Sequence, residues 1–229
     1  LFHDDAVLSD DEDTRPAALA QYQAWGLPGD VDKIRANPEL LRKWTDKKID
    51  FLINFTHQLA TEVQKNQFAS ATQMTTRNLY AQPVMDPQAE QWYAQSLPKF
   101  LANYDYTALM AMPFMESSTM PDRWLTDLYE KVAAQPLGIQ KTIFELQSYD
   151  WEKKRPVDND VLLHQLTLLR ALGARHLGYY PDDFINNQPD SEVIRPLMSA
   201  QSNVIERKPL PKCDSRMVRE KPKQWSTQQ

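Results

Sequence analysis

Carboxylates, amides and aromatic rings recur in this sequence directly after short apolar runs. Leu1-Phe2 leads into His3, Asp4 and Asp5, and Arg77-Asn78-Leu79 leads into Tyr80 and Gln82. The run from Tyr106 ends in Met112, Phe114 and Glu116, and the run from Lys141 carries Glu145 and Gln147 into Tyr149, Asp150 and Trp151. The run from His176 ends in Tyr179, Tyr180, Asp182 and Asp183. Carboxyl groups serve as general acid, general base or nucleophile, and aromatic faces stack on the apolar faces of sugar rings. With no glycine-rich loop to cradle a phosphate, the set describes a carbohydrate groove better than a phosphate site.

Each of these residues also has a plainer reading. Asp4 and Asp5 could be helix caps or loop carboxylates bonded to backbone, and Glu116, followed by Ser117-Ser118-Thr119, could be a solvated loop acid. Trp151, Tyr179 and Tyr180 could be core packing, and Asp182 and Asp183 could simply end a strand. His57 and His164 fall mid-helix and read as packing or surface residues. A metal site at His3-Asp4-Asp5 is disfavoured, because successive side chains on an extended segment point in opposite directions. His176 stands at a strand start, the wrong end for such a site.

The elements that position these residues follow from pattern. After an acidic loop at Asp10 to Asp13, Pro16 to Trp25 has helical composition. Pro38 to about Lys65 repeats Leu41, Trp44, Leu52, Phe55, Leu59 and Val63 near the helical period, as one long helix or two in series. Strands are predicted at Arg77–Pro83, Tyr106–Pro113, Lys141–Gln147 and His176–Tyr180. Helices are predicted at Asp86–Tyr104, Pro121–Ala134 and Asn159–Leu172, the last ended by Gly173 in the C′ role. Counting the opening fragment gives about five βα units of a parallel α/β fold, which places function at the carboxyl ends of the strands. A chain that opens inside a buried strand reads as a fragment.

At 229 residues and 41% hydrophobic content the chain can bury a substantial core. It shows no apolar run of membrane-spanning length and no signal-peptide pattern. The single cysteine, Cys213, excludes an internal disulfide framework and a cysteine zinc site. A net charge of -5 argues against nucleic acid and suits a neutral or cationic ligand. Residues 1–206 are expected to form a partial barrel, with 207–229, rich in Lys, Arg and Pro, as a disordered or loosely attached tail.

Three stretches carry a family resemblance: Leu1-Phe2-His3-Asp4-Asp5-Ala6-Val7-Leu8-Ser9-Asp10, the run Tyr106 to Glu116, and His176 to Phe184. Together, and through most of the chain to about Ile194, they resemble the C-terminal half of PgaB-type poly-β-1,6-N-acetyl-D-glucosamine N-deacetylases, with Phe2-His3-Asp4-Asp5-Ala6 the most specific part. The resemblance implies the C-terminal part of a glycoside-hydrolase-like (β/α)8 TIM-like barrel that binds, and in the family can cleave endolytically, partly deacetylated polymer. It maps a catalytic acid to Asp5 or Asp4 and a contributing one to Glu116. It further implies a two-domain, periplasmic, outer-membrane-anchored lipoprotein acting in biofilm exopolysaccharide modification and export, with an export porin as partner. The divalent metal belongs to the deacetylase half, which is absent here along with about three barrel strands, so no cofactor is expected in this chain. Two alternatives stand beside a glycosidase: a non-catalytic module guiding polymer to the porin, and an unrelated metal-dependent hydrolase.

Overall fold

The protein is described by a computed structural model for residues 1–3, 6–66 and 74–198. The boundary expected at 206 and the tail after it lie outside the described residues, as do Asp4 and Asp5.

Four parallel strands form one sheet: β1 (Thr76–Leu79), β2 (Tyr106–Met110), β3 (Thr142–Gln147) and, after a short antiparallel ribbon of β4 (Tyr149–Asp150) and β5 (Arg155–Pro156), β6 (His176–Tyr180). Their spatial order is β1-β2-β3-β6. The opening segment adds a parallel bridge on the β1 edge, where Phe2 N donates to Thr76 O at 2.7 Å and Asn78 N donates to Phe2 O at 2.9 Å. Each step from strand to strand passes through helix, as in a (β/α) barrel, and the segment holds five successive positions of such a barrel. β1 is shorter than its predicted run, because Gln82 to Met85 coil into a helical turn, α4, with Pro83 in its first turn.

One apolar layer joins the sheet to its helices. Leu79, Leu109, Phe144 and Leu146 point from alternate strand positions into a cluster with Ile49, Ile53, Phe100, Leu125, Leu128, Leu162, Leu166 and Leu169, all buried. Those partners come from α3 (Pro38–Asn66), α6 (Leu97–Asn103), α7 (Pro121–Ala133) and α9 (Asn159–Leu172). The region expected as a single helix over Asp86–Tyr104 is instead a 3₁₀ turn (Pro87–Ala89), α5 (Glu90–Tyr93) and α6. Ala94 takes the left-handed conformation at φ 50° between the two helices, and Pro98 sits in the first turn of α6. α9 ends as predicted: Gly173 adopts φ 110°, and Ala174 N reaches back to Leu169 O at 2.9 Å.

α3 is one continuous helix whose start is capped by Asn37, the side chain of which accepts from Glu39 N and Leu40 N at 3.0 and 3.2 Å. Its buried face differs from the predicted stripe. Trp44, Thr45, Lys48, Ile49, Ile53 and Thr56 are buried, whereas Phe55, Leu59 and Val63 stay exposed. Of the polar members of that face, Thr56 donates to Ile53 O and pairs with the Tyr104 hydroxyl at 2.6 Å, whereas the Thr45 hydroxyl is buried without a hydrogen-bond partner. Trp44 belongs to a second, smaller cluster with Tyr22, Leu27, Val31 and Ile34, formed against α1 (Pro16–Ala24) and α2 (Val31–Arg35). Among the described residues no helix is long and apolar enough to cross a membrane.

Lys48 is the costly member of α3. It is 1% exposed, its ammonium donates to Ser9 O and lies 3.8 Å from the Trp44 ring centroid, and burial lowers its pKa to about 8 from 10.5 despite the opposing pull of Asp10, Glu12 and Asp11. The folded state therefore binds this proton less tightly than the unfolded chain does, so stability rises as pH climbs from about 8 to 10.5. We expect a gain of about 3 kcal/mol across that window, read as the difference between wild type and Lys48→Met in urea unfolding at several pH values. Parallel pH profiles of the two proteins would remove this assignment.

Candidate active site

Side chains alternate across a strand, so the positions between the helix-facing residues share the opposite, concave face. Registration places Asn78 beside Ala108, Met110 beside Glu145, Glu145 beside Gly178, and Gln147 beside Tyr180. Across that face Asn78 donates its amide to Glu145 at 3.2 Å. The rings of His3, on the β1 edge, and Tyr180, at the end of β6, stand edge to face, 6.2 Å apart.

At the β1 end, Tyr80 packs on Tyr93 with centroids 4.8 Å apart, and the Tyr93 hydroxyl donates to Gln82 at 2.7 Å. Gln95, fully buried, accepts from Tyr80 N at 2.9 Å and so fixes the broken helix region to the strand end. After β2 the chain folds into a tight loop in which Glu116 N donates to Met112 O and Ser117 sits at φ 50°. Glu116 is half-buried, and burial raises its carboxyl pKa above the usual glutamate value. Tyr93 is near enough to feel that carboxylate: its hydroxyl is shifted up first by burial and then by the Glu116 charge.

Gln147, at the end of β3, is buried and bonded to backbone on both sides. Its carbonyl oxygen accepts from Phe114 N and Met115 N at 3.0 and 2.9 Å, and its amide donates to Tyr149 O at 3.1 Å. Beyond it, Trp151 stacks on Tyr180 at 6.4 Å and 27°, with Tyr149 edge-on to Trp151. Trp151 and Tyr180 are 42% and 47% exposed, which leaves aromatic faces open beside the sheet edge. Asp150 is buried and closes its own loop, accepting from the backbone and side chain of Lys153, which lower its pKa. Asp183 likewise accepts from the backbone and side chain of Asn186 and its pKa is lowered, while Asp182 bonds with the Tyr179 hydroxyl and is exposed.

Asp4 and Asp5 lie outside the described residues, but the residues flanking them do not. The buried guanidinium of Arg77 donates to His3 O and to Ala6 O, each at 2.6 Å, from the strand next door. The sheet thus brings together His3, Tyr80, Glu116, Trp151 and Tyr180 along one edge. Arg77, Tyr93 and Gln95 went unnoticed in the sequence. Arg77 reads there as an ordinary strand residue, and Tyr93 and Gln95 are hidden inside what looks like one helix, with Ser96-Leu97-Pro98 the only mark of a new start.

A half-buried acid whose pKa is raised by burial and a set of open aromatic faces, both at the carboxyl edge of a parallel sheet, are features of a glycoside-hydrolase-like barrel segment. The chain belongs to hypothetical glycosyl hydrolase family 13, whose model matches residues 1–180. Two curated relatives, the poly-β-1,6-N-acetyl-D-glucosamine N-deacetylases of Escherichia coli strain K12 and of Escherichia coli O157:H7, are each 39% identical over 204 residues, 87% of this chain and 30% of theirs. The solved PgaB (BpsB) glycoside hydrolase domain from Bordetella bronchiseptica superimposes with a TM-score of 0.84 at 52% identity, over 88% of this chain and 56% of that one. The chain therefore spans less than a third of the curated relatives and just over half of the solved chain, and the resemblance to PgaB-type proteins holds across most of its length.

Arg77→Met removes a buried charged donor from two backbone carbonyls, so we expect a loss of about 3 kcal/mol in urea unfolding. Arg77→Lys, which keeps the charge but not the two-pronged geometry, should recover only part of it. Equal stability in all three proteins would show that the fork carries no weight.

Proposed function

We propose that this chain is the glycoside-hydrolase-like domain of a poly-β-1,6-N-acetyl-D-glucosamine N-deacetylase and that it binds and cleaves partly deacetylated polymer. The observation that carries the reading is the environment of Glu116, a carboxyl raised by burial, near enough to Tyr93 to shift its hydroxyl, on the same carboxyl edge as the open Trp151–Tyr180 stack. A carboxylic acid that keeps its proton above the usual range can protonate the leaving glycosidic oxygen. Asp5 or Asp4, next to the Arg77-held carbonyls, is the facing carboxylate that supports the oxocarbenium-like transition state. The substrate's own acetamido group can take the nucleophile's place. Exposed aromatic faces hold the sugar rings, and the net charge of -5 draws cationic glucosamine units.

The same reading puts the protein in the periplasm, anchored to the outer membrane through a further N-terminal part and passing polymer to an export porin. A second reading has specific support in the Trp151–Tyr180 stack, a binding surface that needs no catalysis: a module that guides polymer while chemistry happens elsewhere.

Chain shortening of partly deacetylated polymer separates the two. Glu116→Gln should lower kcat by about 100-fold or more, and one of Asp5→Asn and Asp4→Asn should do the same. In wild type the rate should fall on the alkaline side as Glu116 loses its proton, above the ordinary glutamate value of 4.5. Trp151→Ala should weaken oligosaccharide binding roughly 10-fold. Undiminished cleavage by every carboxyl variant rejects the catalytic assignment, whereas binding without shortening by wild type selects the guiding module.

A further inference from the structure

Resting on that catalytic reading, we propose that Gln147 is a positioning residue whose amide locks the Glu116 loop and the Tyr149–Trp151 loop into one geometry. Gln147 is 1% exposed, so it acts on the site through the two loops it bonds and not by touching the polymer. Its orientation is fixed, because two backbone N–H groups, of Phe114 and Met115, point at the oxygen and a carbonyl, that of Tyr149, faces the nitrogen. Both lone pairs of the oxygen are thereby used, on the two residues immediately before Glu116. Among side chains of this length, an amide alone offers both an acceptor and a donor without depending on its protonation state.

The next residue extends the junction to the last strand. Ser148 N donates to Tyr180 O at 2.9 Å, its hydroxyl donates to Pro181 O, and its carbonyl accepts from Val157 N at 2.9 Å. Two consecutive residues at the end of β3 therefore tie the acid loop on one side to both halves of the aromatic stack, Trp151 and Tyr180, on the other. The distance from the proton donor to the sugar platform is set at this point. Misplacement of a catalytic group by about 1 Å costs roughly 100-fold in rate, so a junction of this kind governs turnover without meeting the substrate.

The two halves of the amide are separable by substitution. Gln147→Glu as a carboxylate keeps an acceptor for Phe114 N and Met115 N and loses the donor to Tyr149 O. It should hold kcat within about threefold of wild type while raising KM for partly deacetylated oligosaccharide about 10-fold, since one lost bond frees only the aromatic loop. Gln147→Leu loses both bonds, and should lower kcat by about 100-fold as well as raising KM. The measurement is steady-state cleavage at the pH where wild type turns over fastest, with wild type and Glu116→Gln alongside. If Gln147→Leu fails to fold, the split between kcat and KM in Gln147→Glu decides alone. An active wild type with kcat and KM unchanged in Gln147→Glu overturns the positioning role and leaves the catalytic reading standing. An inactive wild type overturns the catalytic reading, and the role of Gln147 within it.

Discussion

A guanidinium buried between two chain segments is the interaction on which the site depends. Arg77 comes from the interior of β1, yet it satisfies the carbonyls of His3 and Ala6, more than seventy residues earlier in the chain. Backbone pairing at Phe2 holds the opening segment at one point only, and a single bridge does not fix the direction of the residues after it. A planar, permanently charged fork with parallel donors adds a second hold, on the carbonyls of His3 and Ala6. Its own burial is tolerated because the donors are used and because its flat face lies near the Phe100 ring, 5.6 Å from the centroid.

Polar side chains do much of the structural work at the carboxyl edge. Gln95 receives the Tyr80 amide, Gln147 receives two amides of the Glu116 loop, and Asp150 and Asp183 each close a turn. A loop that leaves a parallel sheet has backbone groups with no ladder partner, and a buried group left unpaired costs more than a typical bond returns. Side-chain amides answer that need, since each offers an acceptor and a donor. Glu116 is not used in this way, and burial raises its pKa. The carboxyls of this edge thus differ in whether donors surround them.

α3 shows the same economy at a distance from the site. Its inward face carries Thr45, Lys48 and Thr56 among the apolar residues, and Lys48 anchors the acidic loop that follows the opening segment. Hydrophobic periodicity alone misassigns this face, because a lysine stem and a threonine methyl pack as apolar surface while the Lys48 ammonium and the Thr56 hydroxyl find partners. The exposed Phe55, Leu59 and Val63 are the counterpart of that choice.

Sequence by itself determined the class of fold and the edge on which the candidate residues stand. Alternating apolar runs and helical periods, punctuated by Pro121, Gly173 and Pro181, can be satisfied only by strands and helices in turn, and such strands pair in parallel with their functional residues at the carboxyl ends. The Phe2-His3-Asp4-Asp5-Ala6 stretch carried the family. Tertiary structure alone decided what each polar residue at that edge does. Asp150 and Glu116 are equivalent in one dimension, since both are acids following a strand. They differ only in what surrounds them: Lys153 donors lower one, and loss of water raises the other. Tyr93 and Arg77 had no local signature, because their importance arises from contacts with residues 11 and more than 70 positions away, and no pattern along the chain records those.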